Sequence, residues 1–222
     1  MKIYGNGDNW LVEDQLNEDL LNEIKTFFDG DTKDFHKIMH EETERYSTTG
    51  NAMQYWILHE GVYCLEPSLD KEYNQIEQKY KKEVLGRLKA AELLRENVKA
   101  ELHAAWTVVG QEGSYHTVHT HGDGLVGGLS TVLYLNVPES DEDSVANEIY
   151  LVLNAKPSSR YFVDDCLNIV NVKPKDGTLL IFPPHIPHGT YPQSKGIRQT
   201  LNIEYELMHG DEENKEFSFN YS

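Results

Sequence analysis

Lys173-Pro174-Lys175-Asp176-Gly177-Thr178-Leu179-Leu180-Ile181-Phe182-Pro183-Pro184 is the stretch whose reading decides the fold. Asp176-Gly177 is a turn signal, Thr178–Phe182 is a short run suited to a strand buried on both faces, and the paired prolines end it rigidly. Such an exit delivers Pro187-His188-Gly189-Thr190 to the mouth of a strand, where His188 is not core filler. Working outward, segments of the same texture, bounded by glycine and proline, fill the chain from Trp106 onward. Strands are predicted at about 104–110, 114–121, 128–137, 147–153, 160–164, 167–173, 178–182 and 197–207. Eight or so short strands separated by turns imply an antiparallel sandwich or barrel.

The first hundred residues read differently. Leu11, Leu16, Leu20, Leu21, Ile24, Phe27 and Phe28 recur at helical spacing, which predicts a helix over about 13–28, and a second is expected over about 32–46. The aromatic stretch Met53–Leu58 fits a strand or a buried helical turn equally. The longest helical signal runs from about Ser68 to His103, with Tyr73, Ile76, Tyr80, Val84 and Leu88 on its apolar stripe. The chain is therefore expected to be mainly β with a mostly helical N-terminal region (residues 1–103) packed on a β core (residues 104–210). An acidic tail (residues 211–222) follows.

Composition narrows the function classes. A length of 222 residues suits one large domain, and a net charge of −17 argues against a nucleic-acid partner, which requires basic patches. Cys64 and Cys166 stand in no metal-binding spacing and are expected to be reduced thiols. Neither a signal peptide nor a run of ~18 apolar residues is visible, so the expected location is cytoplasmic (the host cytoplasm, were the chain phage-encoded), with no membrane partner.

The chemistry-bearing residues lie in two groups. His119-Thr120-His121-Gly122-Asp123 puts three metal-capable side chains at alternating positions, which on a strand share one face. His188 completes a three-ligand facial site with open positions for oxygen and a co-substrate. Arg198 follows ten residues after His188 and can hold a carboxylate through a forked pair of hydrogen bonds. Alternation puts Arg198, Thr200 and Asn202 on one face of the last strand and Leu201 and Ile203 on the other. A pocket-facing Arg198 is a costly buried cation unless an anion meets it.

From about Trp106 to Tyr205 the chain resembles the iron(II)/2-oxoglutarate-dependent oxygenase superfamily, and more narrowly the 2-oxoglutarate oxygenases common in marine bacteria and tailed phages. The resemblance rests on an ordered set: Trp106, Gly113-Ser114-Tyr115, His119-Thr120-His121, Leu129-Ser130 to Tyr134-Leu135, Gly177 to Pro183, Pro187-His188-Gly189 and Arg198-Gln199-Thr200. It implies a double-stranded β-helix (jelly-roll, cupin-like) core packed by helices, with Fe(II) and 2-oxoglutarate as cofactors. The implied reaction uses O2 to hydroxylate a C–H bond of a substrate, a protein side chain such as prolyl being the first class to try. It further implies His188 as the distal iron ligand, and Arg198, helped by Thr200 and Tyr134, as the clamp on the far carboxylate of 2-oxoglutarate. The near half of the ligand set stays open. The usual His-x-Asp pattern favours His121, Asp123 and His188, whereas spacing from Gly113 favours His119, His121 and His188. Two other readings share these residues: a cupin-like metalloenzyme without 2-oxoglutarate, which needs no Arg198, and a metal-free β-sandwich binding protein.

Overall fold

The computed structural model describes residues 1–29, 49–50, 52–59, 62–65, 67–95, 97–121, 127–153 and 168–209. Along the chain run β1 (Lys2–Asn6), β2 (Asn9–Gln15), α1 (Glu18–Asp29), β3 (Thr49–Gly50), β4 (Met53–His59) and β5 (Val62–Tyr63), then α2 (Pro67–Ala90). There follow β6 (Val98–Gly110), β7 (Tyr115–His116), β8 (Gly128–Asn136), β9 (Ile149–Leu153), β10 (Asn168–Val172), β11 (Thr178–Phe182), β12 (His188–Thr190) and β13 (Arg198–His209).

Eight strands form one large sheet in the order β1-β2-β11-β8-β13-β6-β4-β5, and β10-β9-β12 form a smaller one, with antiparallel pairing throughout. The central strands of the large sheet are covered on both faces, so their side chains divide by parity. Leu129, Leu133, Leu179, Ile181, Leu201, Ile203 and Tyr205 pack with α1 and α2 residues such as Ile24, Phe27, Tyr73, Tyr80 and Leu88. Val132, Tyr134, Leu180 and Phe182 turn the other way, onto Ile149, Leu151, Val170 and Val172 of the small sheet. Two facing antiparallel sheets with flanking helices match the double-stranded β-helix expected from the sequence.

The N-terminal expectations needed revision. The helix expected over about 13–28 begins at Glu18, and residues 9–15 form β2 inside the large sheet. Trp10-Leu11-Val12 are all buried, with Trp10 and Val12 in the core beneath the helices and Leu11 in that between the sheets. A strand covered on both faces loses the apolar–polar alternation that would have marked it. Asn17 starts α1 by accepting the Asp19 and Leu20 amide hydrogens on Oδ1 (3.0 and 3.3 Å).

The long helix ends at Ala90 rather than near His103. Leu93 N–H bonds Leu88 O and Glu92 N–H bonds Lys89 O, with Glu92 at φ 58°, the paired closure of a Schellman cap. Glycine normally marks that position, so Glu92 hid the helix end. The stretch Met53–Leu58 is strand, within β4. Strand β6 starts at Val98, so the boundary read at 103/104 falls inside it, and β1, β2, β4 and β5 share the sheet of the C-terminal strands. The strand read at about 114–121 is a two-residue β7 followed by an isolated bridge at His119. The helix expected over about 32–46, the strand over 160–164, and the tail 211–222 lie outside the described residues. Among the described residues no helix is long and apolar enough to cross a membrane.

Candidate metal centre

Backbone hydrogen bonds bring the two sequence groups together. His119 and His188 bond each other in both directions (N–H to O, 2.9 and 3.0 Å), and the His121 N–H donates to Pro184 O at 2.9 Å. The proline exit thus supplies a fixed carbonyl that aligns the first histidine group beside the second. A side chain at Gly189, next to His188, would force the Tyr150 ring to move. A Cβ there would lie 2.7 Å from the Tyr150 ring and 3.0 Å from the His116 carbonyl.

The rings of His119, His121 and His188 converge, with centroids 4.3 to 5.0 Å apart, and one ring nitrogen of each lies within 4.8 Å of the others. For two of them the hydrogen bonds settle which nitrogen faces inward. His119 Nδ1 donates to Thr117 O (2.8 Å) and His188 Nδ1 to Ile186 O (2.9 Å), because a carbonyl only accepts. His121 Nδ1 lies 2.5 Å from a Glu204 carboxylate oxygen, and the Ser130 hydroxyl is within hydrogen-bond reach of the same nitrogen at 3.4 Å. His119 and His188 are therefore the tautomers with a bare Nε2, and their lone pairs share one small space with the His121 ring. That is a donor set for a metal ion, and imidazole suits iron among others.

Burial, reinforced by the neighbouring imidazoles, holds His188 well below the usual histidine range and lowers His119. His116 is pushed down to about 3, chiefly by burial and then by His119 and Arg198. The unfolded chain takes up protons near pH 6.5 that the folded chain refuses, so stability is full above that pH and declines as pH falls below it. His188, only 4% exposed, alone contributes a slope that approaches about 1.4 kcal/mol per pH unit once the pH is about a unit or more below 6.5. Urea midpoints of the metal-free protein should fall steadily from pH 7 to pH 5. A flat profile would contradict neutral, buried histidines.

Beside the histidines a pocket opens, lined also by Trp106, Val132, Tyr134 and Arg198. Arg198 enters it from the first position of β13 and is 4% exposed. Its Nη2 donates to Thr190 Oγ1 at 3.3 Å, its Nη1 has no partner, and among the described residues no carboxylate pairs with it. Burial lowers its proton affinity, and burial also raises the nearby Tyr134 phenol to about 12, keeping it a neutral donor. Thr200 and Asn202 line the same wall, joined by a 3.1 Å hydrogen bond from Asn202 Nδ2 to Thr200 Oγ1. Arg198, Thr200 and Tyr134 thus line the same pocket as the three histidines. Asp123 lies outside the described residues.

One contributor was missed from sequence. The alternation Arg198, Thr200, Asn202 continues to Glu204, which reaches His121. One more step of two along β13 would have found it.

A family model of 2OG-Fe(II) oxygenases matches residues 104–203. Among solved structures, an oxidoreductase of the 2OG-Fe(II) oxygenase family from Burkholderia pseudomallei is similar at TM-score 0.63 and 11% identity, over 88% of this chain and 84% of that one. A Pseudomonas putida prolyl-4-hydroxylase gives TM-score 0.55 and 15% identity over 88% and 91%. A Trichoplax adhaerens prolyl hydroxylase, solved with a peptide of the hypoxia inducible factor oxygen degradation domain, gives 0.51 and 13% over 88% and 83%. At these identities the structures establish the fold. No curated protein sequence matches the chain.

Proposed function

From family-level similarity to the 2OG-Fe(II) oxygenase superfamily, we propose that the protein is an Fe(II)- and 2-oxoglutarate-dependent oxygenase that hydroxylates a C–H bond. The observation that carries this reading is Arg198, a buried guanidinium with a free Nη1 in the same pocket as three converging imidazoles. A buried cation without a partner costs several kcal/mol, which a bound carboxylate offsets. A cupin-like reaction without 2-oxoglutarate leaves Arg198 nothing to hold. A metal-free binding module leaves three converging imidazoles crowded together with nothing to hold.

In this reading His119, His121 and His188 hold Fe(II) through Nε2. Arg198 grips the far carboxylate of 2-oxoglutarate, and the Thr200 and Tyr134 hydroxyls donate beside it. Once bound, the iron and 2-oxoglutarate supply the oxidation: O2 gives one oxygen atom to the substrate as hydroxyl and the other to succinate, with release of CO2. The chain orients and encloses. Phe182 stands edge-on to His188 (4.9 Å) and Trp106 to His121 (5.5 Å), giving the histidines apolar neighbours that keep water off their flanks. For substrate, a prolyl side chain is the first class to test, on likeness to the two prolyl hydroxylases alone.

The test is succinate formation from 2-oxoglutarate by protein loaded anaerobically with Fe(II) and then exposed to O2. Turnover should require both Fe(II) and 2-oxoglutarate and should rise when proline-containing peptides gain one oxygen. Protein that binds metal yet neither binds nor consumes 2-oxoglutarate would overturn the proposal.

A further inference from the structure

We infer that Glu204 is the carboxylate of this metal centre, placed one imidazole away from the metal. There it fixes the His121 ring and supplies the negative charge that a set of three histidine ligands lacks. The inference deepens the function proposed above and rests on its ligand set.

Glu204 is only 7% exposed, and His121 is its one ion-pair partner among the described residues. Among the described residues no lysine or arginine pairs with it, and the nearly buried carboxylate has a histidine of the cluster as its charged-group contact. Its own oxygens are not among the ligand atoms within 4.8 Å of one another. The space it uses is built into the sheet. On β13 it lies opposite Ala104 of β6 and Ser130 of β8, and these two small residues let its side chain reach His121. Ser130 Oγ, at 3.4 Å from the same Nδ1, flanks the contact.

The three histidines are therefore not equivalent. His119 and His188 donate to neutral backbone carbonyls, whereas His121 Nδ1 lies 2.5 Å from a carboxylate oxygen. A carboxylate behind a metal-bound imidazole sets its tautomer and raises its strength as a ligand. It also offsets part of the 2+ charge, which a ligating carboxylate does in the usual two-histidine, one-carboxylate site. Glu204 is a positioning residue in this scheme, with no contact to substrate.

The experiment uses the full chain with Co(II) alone as probe, under anaerobic conditions. Affinity is measured by chelator competition in wild type, Glu204→Gln, Glu204→Ala and His188→Ala. Both Glu204 variants should bind Co(II) about 10- to 100-fold more weakly. Proton spectra of the Co(II)-loaded wild type should show three exchangeable, strongly shifted imidazole N–H resonances. One of them should move in Glu204→Gln and be lost to rapid exchange in Glu204→Ala. A general packing defect would not single out one resonance of three. The isosteric Glu204→Gln decides alone if the alanine variant does not fold. A weakening under about fivefold, or three unmoved resonances, overturns the role of Glu204. Wild type that binds no Co(II), or binds it equally after His188→Ala, would instead overturn the metal centre beneath it.

Discussion

Replacing Arg198 by alanine should abolish 2-oxoglutarate-dependent turnover while leaving metal binding intact. The guanidinium is buried, half of its fork is free among the described residues, and it lines the pocket without belonging to the three-histidine cluster. Truncating one member of a buried, hydrogen-bonded charge pair costs about 2–5 kcal/mol, so affinity for 2-oxoglutarate should fall roughly 30-fold to several-thousand-fold. Calorimetric titration of the metal-loaded protein with 2-oxoglutarate measures that loss, and succinate release measures its consequence. Arg198→Lys should restore little, because a single ammonium cannot make the forked pair. The ligand-free Arg198→Ala protein should melt no lower than wild type, since the change removes an uncompensated buried cation. Undiminished 2-oxoglutarate binding would remove the central support for the proposed reaction.

The second large effect concerns the ligands. His188→Ala should reduce bound Fe(II) from one per chain to background, a loss beyond the roughly 100-fold caused by changes outside the ligand set. The fold should survive, because His188 is tied to His119 and Leu151 by backbone pairing that alanine retains. His119→Ala should have the same effect, and Asp123→Ala should leave metal binding unchanged. The converse pair of results would assign the third place to Asp123. Metal analysis after anaerobic loading distinguishes these outcomes, and calorimetry of 2-oxoglutarate binding confirms which variants keep a working pocket.

Much of the β architecture was legible because it depends on local chemistry. The turn at Asp176-Gly177, the apolar run Thr178–Phe182 and the proline exit appear as strand β11 and the bend that follows it. The alternation along Arg198–Ile203 divides as expected, with Thr200 and Asn202 lining the pocket and Leu201 and Ile203 beneath the helices. Legibility failed where tertiary contacts replaced the local signal. Strand β2 is covered on both faces and so carries no alternation, and α2 stops at a cap where Glu92 occupies the position that glycine normally signals.

From the sequence by itself came the antiparallel class, the candidate histidines and the arginine on the pocket face of the last strand, because side-chain parity and turn chemistry act over a few residues. Only the tertiary structure decided that His119 and His188, remote in sequence, share one pair of backbone hydrogen bonds. It also decided that Arg198 has no carboxylate partner among the described residues and that Glu204 stands beside His121. Those facts depend on which strands become neighbours across the large sheet and its facing partner, and pairing between distant segments is set by burial of the whole core rather than by any local pattern.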